Sequence, residues 1–189
     1  MTHRESENVD IRWWLPGDAE ELAPLANDRR IWANLRDAFP HPYGLDDARR
    51  FIAKAQGMDP QSYFAVVVSG RIAGGIGYTP GTDVERVGAE VGYWLGPGFW
   101  GRGIGTAALR AVTDHAFRAD RDLCRLFAVP FAGNMASARI LEHVGYRLEG
   151  TLRQSAIKEG RVVDQWMYAM VRSEWAAAAI AGSPVDCGS

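Results

Sequence analysis

The chain has 189 residues, of which 47% are hydrophobic, enough for one well-buried core but short for two independent domains. Lys and Arg number 21 against 23 Asp and Glu, so the net charge of −2 gives no global electrostatic reason to bind nucleic acid or anionic lipid. No apolar run approaches the roughly 20 residues that cross a membrane, and the charged N-terminal segment is unlike a signal peptide. We therefore expect a cytoplasmic protein.

The first half of the chain predicts one strand, helices and a hairpin. Apolar and β-branched runs indicate the strands, apolar residues at helical spacing indicate the helices, and Pro and Gly mark the breaks between them. The predicted elements are a strand at 11–15, a helix capped by Asp18, a short helix around Ile31 and Trp32, a helix opened by Asp46 or Asp47, and strands at 63–68 and 72–78.

The second half predicts a strand–helix–strand crossover and a closing hairpin. The clearest helix carries apolar residues at spacings typical of one face: Ile104, Ala107, Ala108, Ala111, Val112, His115 and Ala116. The other predicted elements are strands at 88–95 and 123–129, a helix ended by Gly145, and strands at 146–152 and 162–170. Together the elements predict an α/β domain with a mixed sheet of about seven strands flanked by helices.

Cysteine and histidine usage gives no metal signature. The two cysteines, Cys124 and Cys187, are far apart, and the four histidines form no paired cluster. Cys124 opens the apolar run CRLFAV, so we expect a buried thiol. We predict no structural or catalytic metal.

A glycine-rich loop, GPGFWGRGIGT, joins the strand at 88–95 to the clearest helix. A helix N-terminus carries unpaired N–H groups and a partial positive charge, so glycines there let a diphosphate approach the backbone. Arg102 adds a formal positive charge at the same point, so the loop is predicted to bind a diphosphate.

Two other interpretations of this loop are a glycine-rich turn without a ligand and a dinucleotide site. The literal GxGxxG match is weak evidence for a dinucleotide site, because several strands precede the loop and no acidic residue ends the next strand; a GK[ST] loop is absent.

The stretch GYWLGPGFWGRGIGTAAL resembles the acetyl-CoA loop of the GNAT superfamily of N-acetyltransferases, in the branch that contains the ribosomal-protein N-terminal alanine and serine acetyltransferases. The likeness continues through the NMAS motif at 134–137, Gly145-Tyr146 and the closing strands. It covers roughly residues 8–175, which we take as the GNAT domain, with flexible termini at 1–7 and 182–189.

This resemblance implies a site for acetyl-CoA as co-substrate. In the family the fourth and fifth strands splay apart, and pantetheine lies in the gap as an extra strand would. It implies that the backbone of Trp94 and Leu95 contacts pantetheine and that Asn134 hydrogen-bonds its arm, although Asn134 can equally cap the next helix. The diphosphate would be held by Arg102, Gly103, Ile104, Gly105 and Thr106.

Acetyl transfer needs a base for the amine and a proton donor for the departing thiolate. The tyrosine that many family members use as donor is replaced by Leu141, so the resemblance to the ribosomal-protein branch assigns that role to Ser137. That branch's glutamate is replaced by Ala156. We therefore choose Glu90 as the base and Asp37 as second choice; a surface pair of Glu90 with Arg86 is the alternative.

The acceptor side is expected in the segment Asn34–Tyr43, where Asp37 and Tyr43 offer charge and ring surface. A protein N-terminus and a small-molecule amine present the same nucleophile, so the acceptor stays open. A CoA-binding module without turnover is a second hypothesis. An aminoglycoside-type acetyltransferase is a third, and it would predict a strongly acidic cleft. The resemblance to the family also implies a homodimer.

Overall fold

The computed structural model describes residues 8–181. The predicted flexible ends, 1–7 and 182–189, lie outside the described residues. The strands are β1 (Val9–Trp13), β2 (Tyr63–Val68), β3 (Arg71–Pro80), β4 (Gly88–Leu95), β5 (Arg125–Ala128), β6 (Arg147–Lys158) and β7 (Arg161–Val171). The helices are α1 (Ala19–Ala26), α2 (Arg29–Trp32), α3 (Leu45–Gln56), α4 (Ile104–Ala119), α5 (Met135–Val144) and α6 (Arg172–Ala181).

The strands form one mixed sheet in the order β1-β2-β3-β4-β5-β7-β6. All neighbouring pairs are antiparallel except β4 and β5, which are parallel and joined through α4. This confirms the predicted α/β fold, with hairpins first and one crossover in the middle. The helix α6 was not predicted.

Two apolar clusters cover the two faces of the sheet. One contains the inner sides of α4 and α5 with side chains such as Val66, Ile76 and Leu126. The other contains α1 and α3 with Trp14, Ala65 and Val67. Because β2 is buried on both faces, it reads as a continuous apolar run, YFAVVV, rather than an alternating one.

The buried face of α4 is wider than the spacing predicted. Its predicted stripe is largely buried, but Gly105, Leu109, Thr113 and Phe117 are buried as well. The reason is that α4 packs against both the sheet and α5. A Cβ atom on Gly105 would lie 2.7 Å from Cδ1 of Ile140, so the glycine permits close contact between the two helices.

Two local expectations were wrong. Asp18 does not cap α1 through its side chain; its carboxylate accepts hydrogen bonds from the Leu15 N–H at 2.8 Å and from both terminal nitrogens of Arg12 at 2.7 and 2.9 Å. Cys124 is exposed, because β5 begins one residue later and the inward position belongs to Leu123.

The turn of the β6–β7 hairpin packs on α2 and the loop after it. The side chain of Lys158 is 7% exposed, its Nζ lies 3.7 Å from the ring centroid of Trp32, and it donates a hydrogen bond to Asp37 at 2.8 Å. Glu159 forms an ion pair with Arg29. These contacts hold the segment 29–37 against the turn between β6 and β7, the two strands at one edge of the sheet.

We predict that Asp18→Asn lowers the free energy of unfolding by about 2 kcal/mol, the usual cost of losing hydrogen bonds to a partly buried charge. Burial raises the pKa of Asp18, but the Arg12 guanidinium and the Leu15 amide outweigh it and hold that pKa below its ordinary value. A lowered carboxyl pKa stabilises the fold above the unfolded-state pKa, and this stabilisation is lost as the pH falls.

Urea unfolding at neutral and acidic pH measures the effect. The difference between the wild-type protein and Asp18→Asn should be largest at neutral pH and shrink on acidification. Asp46→Asn is the matched control, since Asp46 is exposed and lies 3.6 Å from Arg49 in a surface pair. Equal stabilities of Asp18→Asn and Asp46→Asn would contradict the prediction.

Candidate functional site

The parallel strands β4 and β5 diverge after three paired positions. Gly88–Glu90 pairs with Arg125–Phe127, and β4 then continues to Leu95 without β5 beside it. A cavity of about 840 Å³ opens at this point, lined by residues of β4, the start of α4, the start of α5 and the segment 30–58. The splayed strands that the family resemblance implied are therefore present.

The diverging edge of β4 carries backbone groups that β5 does not pair. The N–H of Gly96 donates to Ala73 of β3, and the C=O of Val87 accepts from Cys124 beside β5. Because backbone groups alternate along a strand, the N–H and C=O of Tyr93 and the N–H of Leu95 point toward the cavity, and those of Trp94 point toward β3. The backbone of Trp94, which was expected to contact pantetheine, is therefore directed toward β3, whereas that of Tyr93 faces the cavity; both residues are among those that line it.

The N-terminus of α4 lies at the other end of this edge. The first hydrogen bond within the helix runs from the Ala107 N–H to the Gly103 C=O at 3.0 Å, so the amides of Ile104, Gly105 and Thr106 have no partner inside the helix. These three residues and Gly103 line the cavity. Gly103 has a φ of 79°, a conformation that favours glycine.

Arg102 stands beside this helix end without lining the cavity. Its guanidinium donates to the Gly98 C=O at 3.1 Å and lies over the Phe99 ring, 5.3 Å from the centroid. The predicted direct contact of this side chain with a diphosphate is therefore not prearranged. Its positive charge remains next to the amides of α4.

Asn134 and Ser137 meet at the start of α5. Asn134 accepts a hydrogen bond from the Ser137 N–H at 3.1 Å, which confirms Asn134 as the N-cap of that helix. Both residues also line the cavity. The cap fixes the first turn of α5 and thereby places the Ser137 hydroxyl.

Tyr93 is a site residue that the sequence interpretation missed. Its hydroxyl lies 2.9 Å from the Ser137 Oγ and donates to the Ser137 C=O at 3.2 Å. Burial raises the pKa of Tyr93 and the Ser137 hydrogen bond opposes the shift, so the phenol is neutral at physiological pH. Strand alternation placed Tyr93 on the face opposite Glu90, but nothing in the sequence signalled its contact with a helix 44 positions later.

Glu90 lines the cavity from β4 and forms an ion pair with Arg36. The Arg36 Nη2 lies 2.5 Å from the Glu90 Oε1, with the Glu90 side chain 28% exposed and that of Arg36 66% exposed. The alternative partner Arg86 instead donates to the backbone C=O of Asp83 at 2.8 Å. The candidate base therefore lies in the cavity and is already engaged by a cation.

The opposite wall is mainly aromatic, formed by Phe39, Tyr43, Phe51 and Tyr63. Tyr43 stacks on Phe39 with ring centroids 4.8 Å apart, and burial together with the charge of Asp47 raises the Tyr43 pKa to about 12. Asp37, predicted to bind substrate, does not line the cavity, because its carboxylate is turned to Lys158. Within residues 8–178, then, all predicted site residues line one cavity except Arg102 and Asp37.

The described residues contain neither a cluster of metal ligands nor a membrane-spanning helix. No three His, Cys, Asp or Glu side chains are grouped as ligands of a metal ion would be. None of the described helices has both the length and the apolar character to cross a bilayer.

Comparison with known proteins identifies the family. Residues 8–147 match the family model described as the acetyltransferase (GNAT) domain. The chain is 31% identical over 185 residues to a putative ribosomal N-acetyltransferase, YdaF, of Bacillus subtilis, covering 93% of this chain and 97% of the relative.

Solved structures share the fold of this chain, which the family model and the Bacillus subtilis relative assign to a family. Mycobacterium smegmatis RimJ in complex with CoA-disulfide has a TM-score of 0.79 at 24% identity, covering 88% of this chain and 83% of that one. The microcin C7 self-immunity acetyltransferase MccE in complex with acetyl-CoA and AMP has a TM-score of 0.74 at 25% identity, covering 86% and 92%. The chain therefore belongs to the GNAT acetyltransferase family.

Proposed function

We propose that this GNAT acetyltransferase uses the diverging strands as its acetyl-CoA site and transfers the acetyl group from there to a primary amine. The observation that carries the proposal is the junction of the unpaired β4 edge with the N-terminus of α4 in one cavity. That junction offers peptide-like hydrogen bonds along a groove and a partial positive charge at its end. This order of groups suits a pantetheine arm followed by a diphosphate.

Each part of the donor site has a role in this proposal. The backbone of Tyr93 and Leu95 bonds the pantetheine amides, and Asn134 lies where its side chain can contact the same arm. The amides of Gly103, Ile104, Gly105 and Thr106 hold the diphosphate. Arg102 adds positive charge beside them rather than a prearranged hydrogen bond.

The chemistry then needs two proton transfers. Acetyl-CoA supplies the thioester carbonyl, and Glu90 takes the proton that the amine loses, directly or through a water. The Ser137 hydroxyl donates a proton to the departing sulfur. Tyr93 lies beside that hydroxyl, with its phenol oxygen 2.9 Å from the Ser137 Oγ, and either group can be the donor. When the single phenol proton turns from the Ser137 C=O to the Ser137 Oγ, the Ser137 proton is left free to point toward the cavity.

The acceptor is an amine, either a protein N-terminus, as the names of the ribosomal relatives suggest, or a small molecule. Tyr43 contributes to the aromatic wall of the acceptor side. Asp37 acts at a distance by holding the acceptor segment to Lys158. A CoA-binding module without turnover is not favoured, because Ser137 and Glu90 both line the cavity. A cytoplasmic location and a homodimer stay predictions.

Gly103→Val tests the donor site. We expect the wild-type protein to bind acetyl-CoA in isothermal titration and Gly103→Val to lose that binding, because its side chain would enter the space beside the α4 amides. Gly160→Val is the matched control: Gly160 has a φ of 73° in the distal β6–β7 turn, so it carries a comparable backbone strain away from the cavity. Retained affinity in Gly103→Val, or loss in both variants, would overturn the assignment.

Ser137→Ala tests the proton donor. We expect kcat for amine acetylation to fall by about 100-fold, the lower range for a lost general acid, with little change in acetyl-CoA affinity. Release of free thiol with a panel of amines measures turnover, and titration measures affinity. Ser173→Ala on α6 is the control. An unchanged kcat in Ser137→Ala would reassign the role.

Tyr93→Phe separates positioning from packing, since it removes the hydroxyl and keeps the ring. We expect a smaller fall in kcat than in Ser137→Ala and an unchanged acetyl-CoA affinity, because the Ser137 hydroxyl loses its orienting partner while the groove is intact. In the double variant Tyr93→Phe/Ser137→Ala the loss of the phenol should have no further effect on kcat. Additive losses would show that Tyr93 acts independently of Ser137.

A further inference from the structure

Resting on the proposed function, we infer that the amine acceptor carries an anionic group, a carboxylate or a phosphate, within a few bonds of its amine, and that Arg36 binds this group. The inference joins two observations: the charge of the cavity wall and the engagement of Glu90 by Arg36.

The charged side chains that line the cavity are mostly cationic. Among the described residues they are Arg30, Arg36 and Lys54, against Glu90 alone as an acid. Arg30 is paired with Asp28 outside the cavity, and Lys54 has no hydrogen bond or ion pair within residues 8–178. Polyamines and aminoglycosides would find one carboxylate among the described lining residues, and that one is already paired with Arg36, whereas an anionic acceptor would find cationic partners.

The ion pair of Arg36 with Glu90 conflicts with the role of Glu90 as base. The Arg36 Nη2 donates a hydrogen bond to the Glu90 Oε1 at 2.5 Å. A proton accepted by Glu90 would remove the negative charge on which this ion pair depends. Arg36 is largely exposed, and its contact with Glu90 uses Nη2 and a single carboxylate oxygen. A ligand anion that accepts from Nη2 and a second guanidinium nitrogen in bidentate fashion competes with Glu90 for Arg36. A ligand that brings its own anion can therefore replace Glu90 on Arg36.

This exchange couples acceptor binding to activation of the base. The acceptor's anion pairs with Arg36, and the freed Glu90 takes a proton from the ammonium to give the neutral amine. The amine nitrogen forms a bond to the thioester carbon as the carbon–sulfur bond breaks, and Ser137 donates its proton to the sulfur. The second amine proton passes to solvent, from which Ser137 is reprotonated. Glu90 then releases the proton that it took to solvent, so each turnover releases one net proton and both side chains return to their starting states.

The geometry also limits where the anion can be. Arg36 and Glu90 are in direct contact, so an amine at Glu90 and an anion at Arg36 must be close neighbours in one molecule. An α-amino carboxylate and an amino-alkyl phosphate satisfy this condition. The aromatic wall of Phe39, Phe51 and Tyr63 favours an apolar substituent on the same acceptor.

The test compares acceptors that differ only in the anion. The pairs are L-phenylalanine with L-phenylalaninamide, for the carboxylate, and 2-aminoethyl phosphate with ethanolamine, for the phosphate. We expect kcat/KM for thiol release to favour the anionic member of at least one pair by about tenfold or more. The amide's amine is less basic and thus more often neutral, so intrinsic reactivity alone would favour the amide.

Arg36→Gln should reverse this preference. It removes the anion's partner, which lowers kcat/KM for the anionic acceptor, and it frees Glu90, which raises kcat/KM for the neutral one. Arg49→Gln is the matched control, because Arg49 is an exposed arginine of α3 that does not line the cavity. Neutral acceptors that match or exceed their anionic partners in the wild-type protein, or an unchanged preference in Arg36→Gln, would overturn the inference.

A binding readout separates this inference from the proposed function. With CoA present, the anionic acceptor should raise the unfolding midpoint of the wild-type protein more than its neutral partner does, and Arg36→Gln should lose the difference. If this difference is found but no amine in the panel is acetylated, the proposed function fails and the inference about Arg36 stands. If amines are acetylated and neither readout distinguishes the pairs, the inference alone fails.

Discussion

The separation of β4 from β5 after three residue pairs is the constraint on which the rest of the site depends. A parallel pair that stays closed leaves no backbone groups to bind a ligand, whereas one that opens exposes them along a groove. Since α4 follows β4 directly, its unpaired amides lie at the end of the same groove. The divergence of β4 from β5 therefore brings the unpaired backbone groups of β4 and the amides of α4 into one groove, where they can bind a ligand without a charged side chain.

The gap also makes both faces of the sheet available to one ligand. Strand alternation directs Tyr93 to the side of α4 and α5, where it meets Ser137, and Glu90 to the side of α1 and α3, where it meets Arg36. The proposed proton donor and the proposed base thus approach the gap from opposite sides. A closed sheet would separate them by its own thickness. The proposed division of labour between Ser137 and Glu90 follows from this arrangement.

The sequence predicted those features that depend on local patterns. The strand at 88–95 and the αL residue Gly145 after α5 agree with the structure, because alternation, helical spacing and glycine act over a few residues. The contacts that sequence reasoning missed or misassigned span long distances along the chain: Arg36 with Glu90 is 54 positions apart and Asp37 with Lys158 is 121. Charged side chains can find several partners, and only the folded arrangement selects among them. For the same reason the loop glycines were found from sequence and Tyr93 was not.

The docking of the β6–β7 turn on α2 has a consequence for how such an enzyme can change its acceptor. The groove proposed for the acetyl donor is lined mainly by residues 88–137, a contiguous part of the chain. The segment 29–37, which also contributes residues to the cavity, is held by Lys158 and Glu159 from the other end of the domain. A change in the length or composition of that turn would shift this segment and leave the groove in place. Selectivity for the acceptor can therefore evolve through a distant hairpin, without any substitution among the residues proposed to hold the thioester.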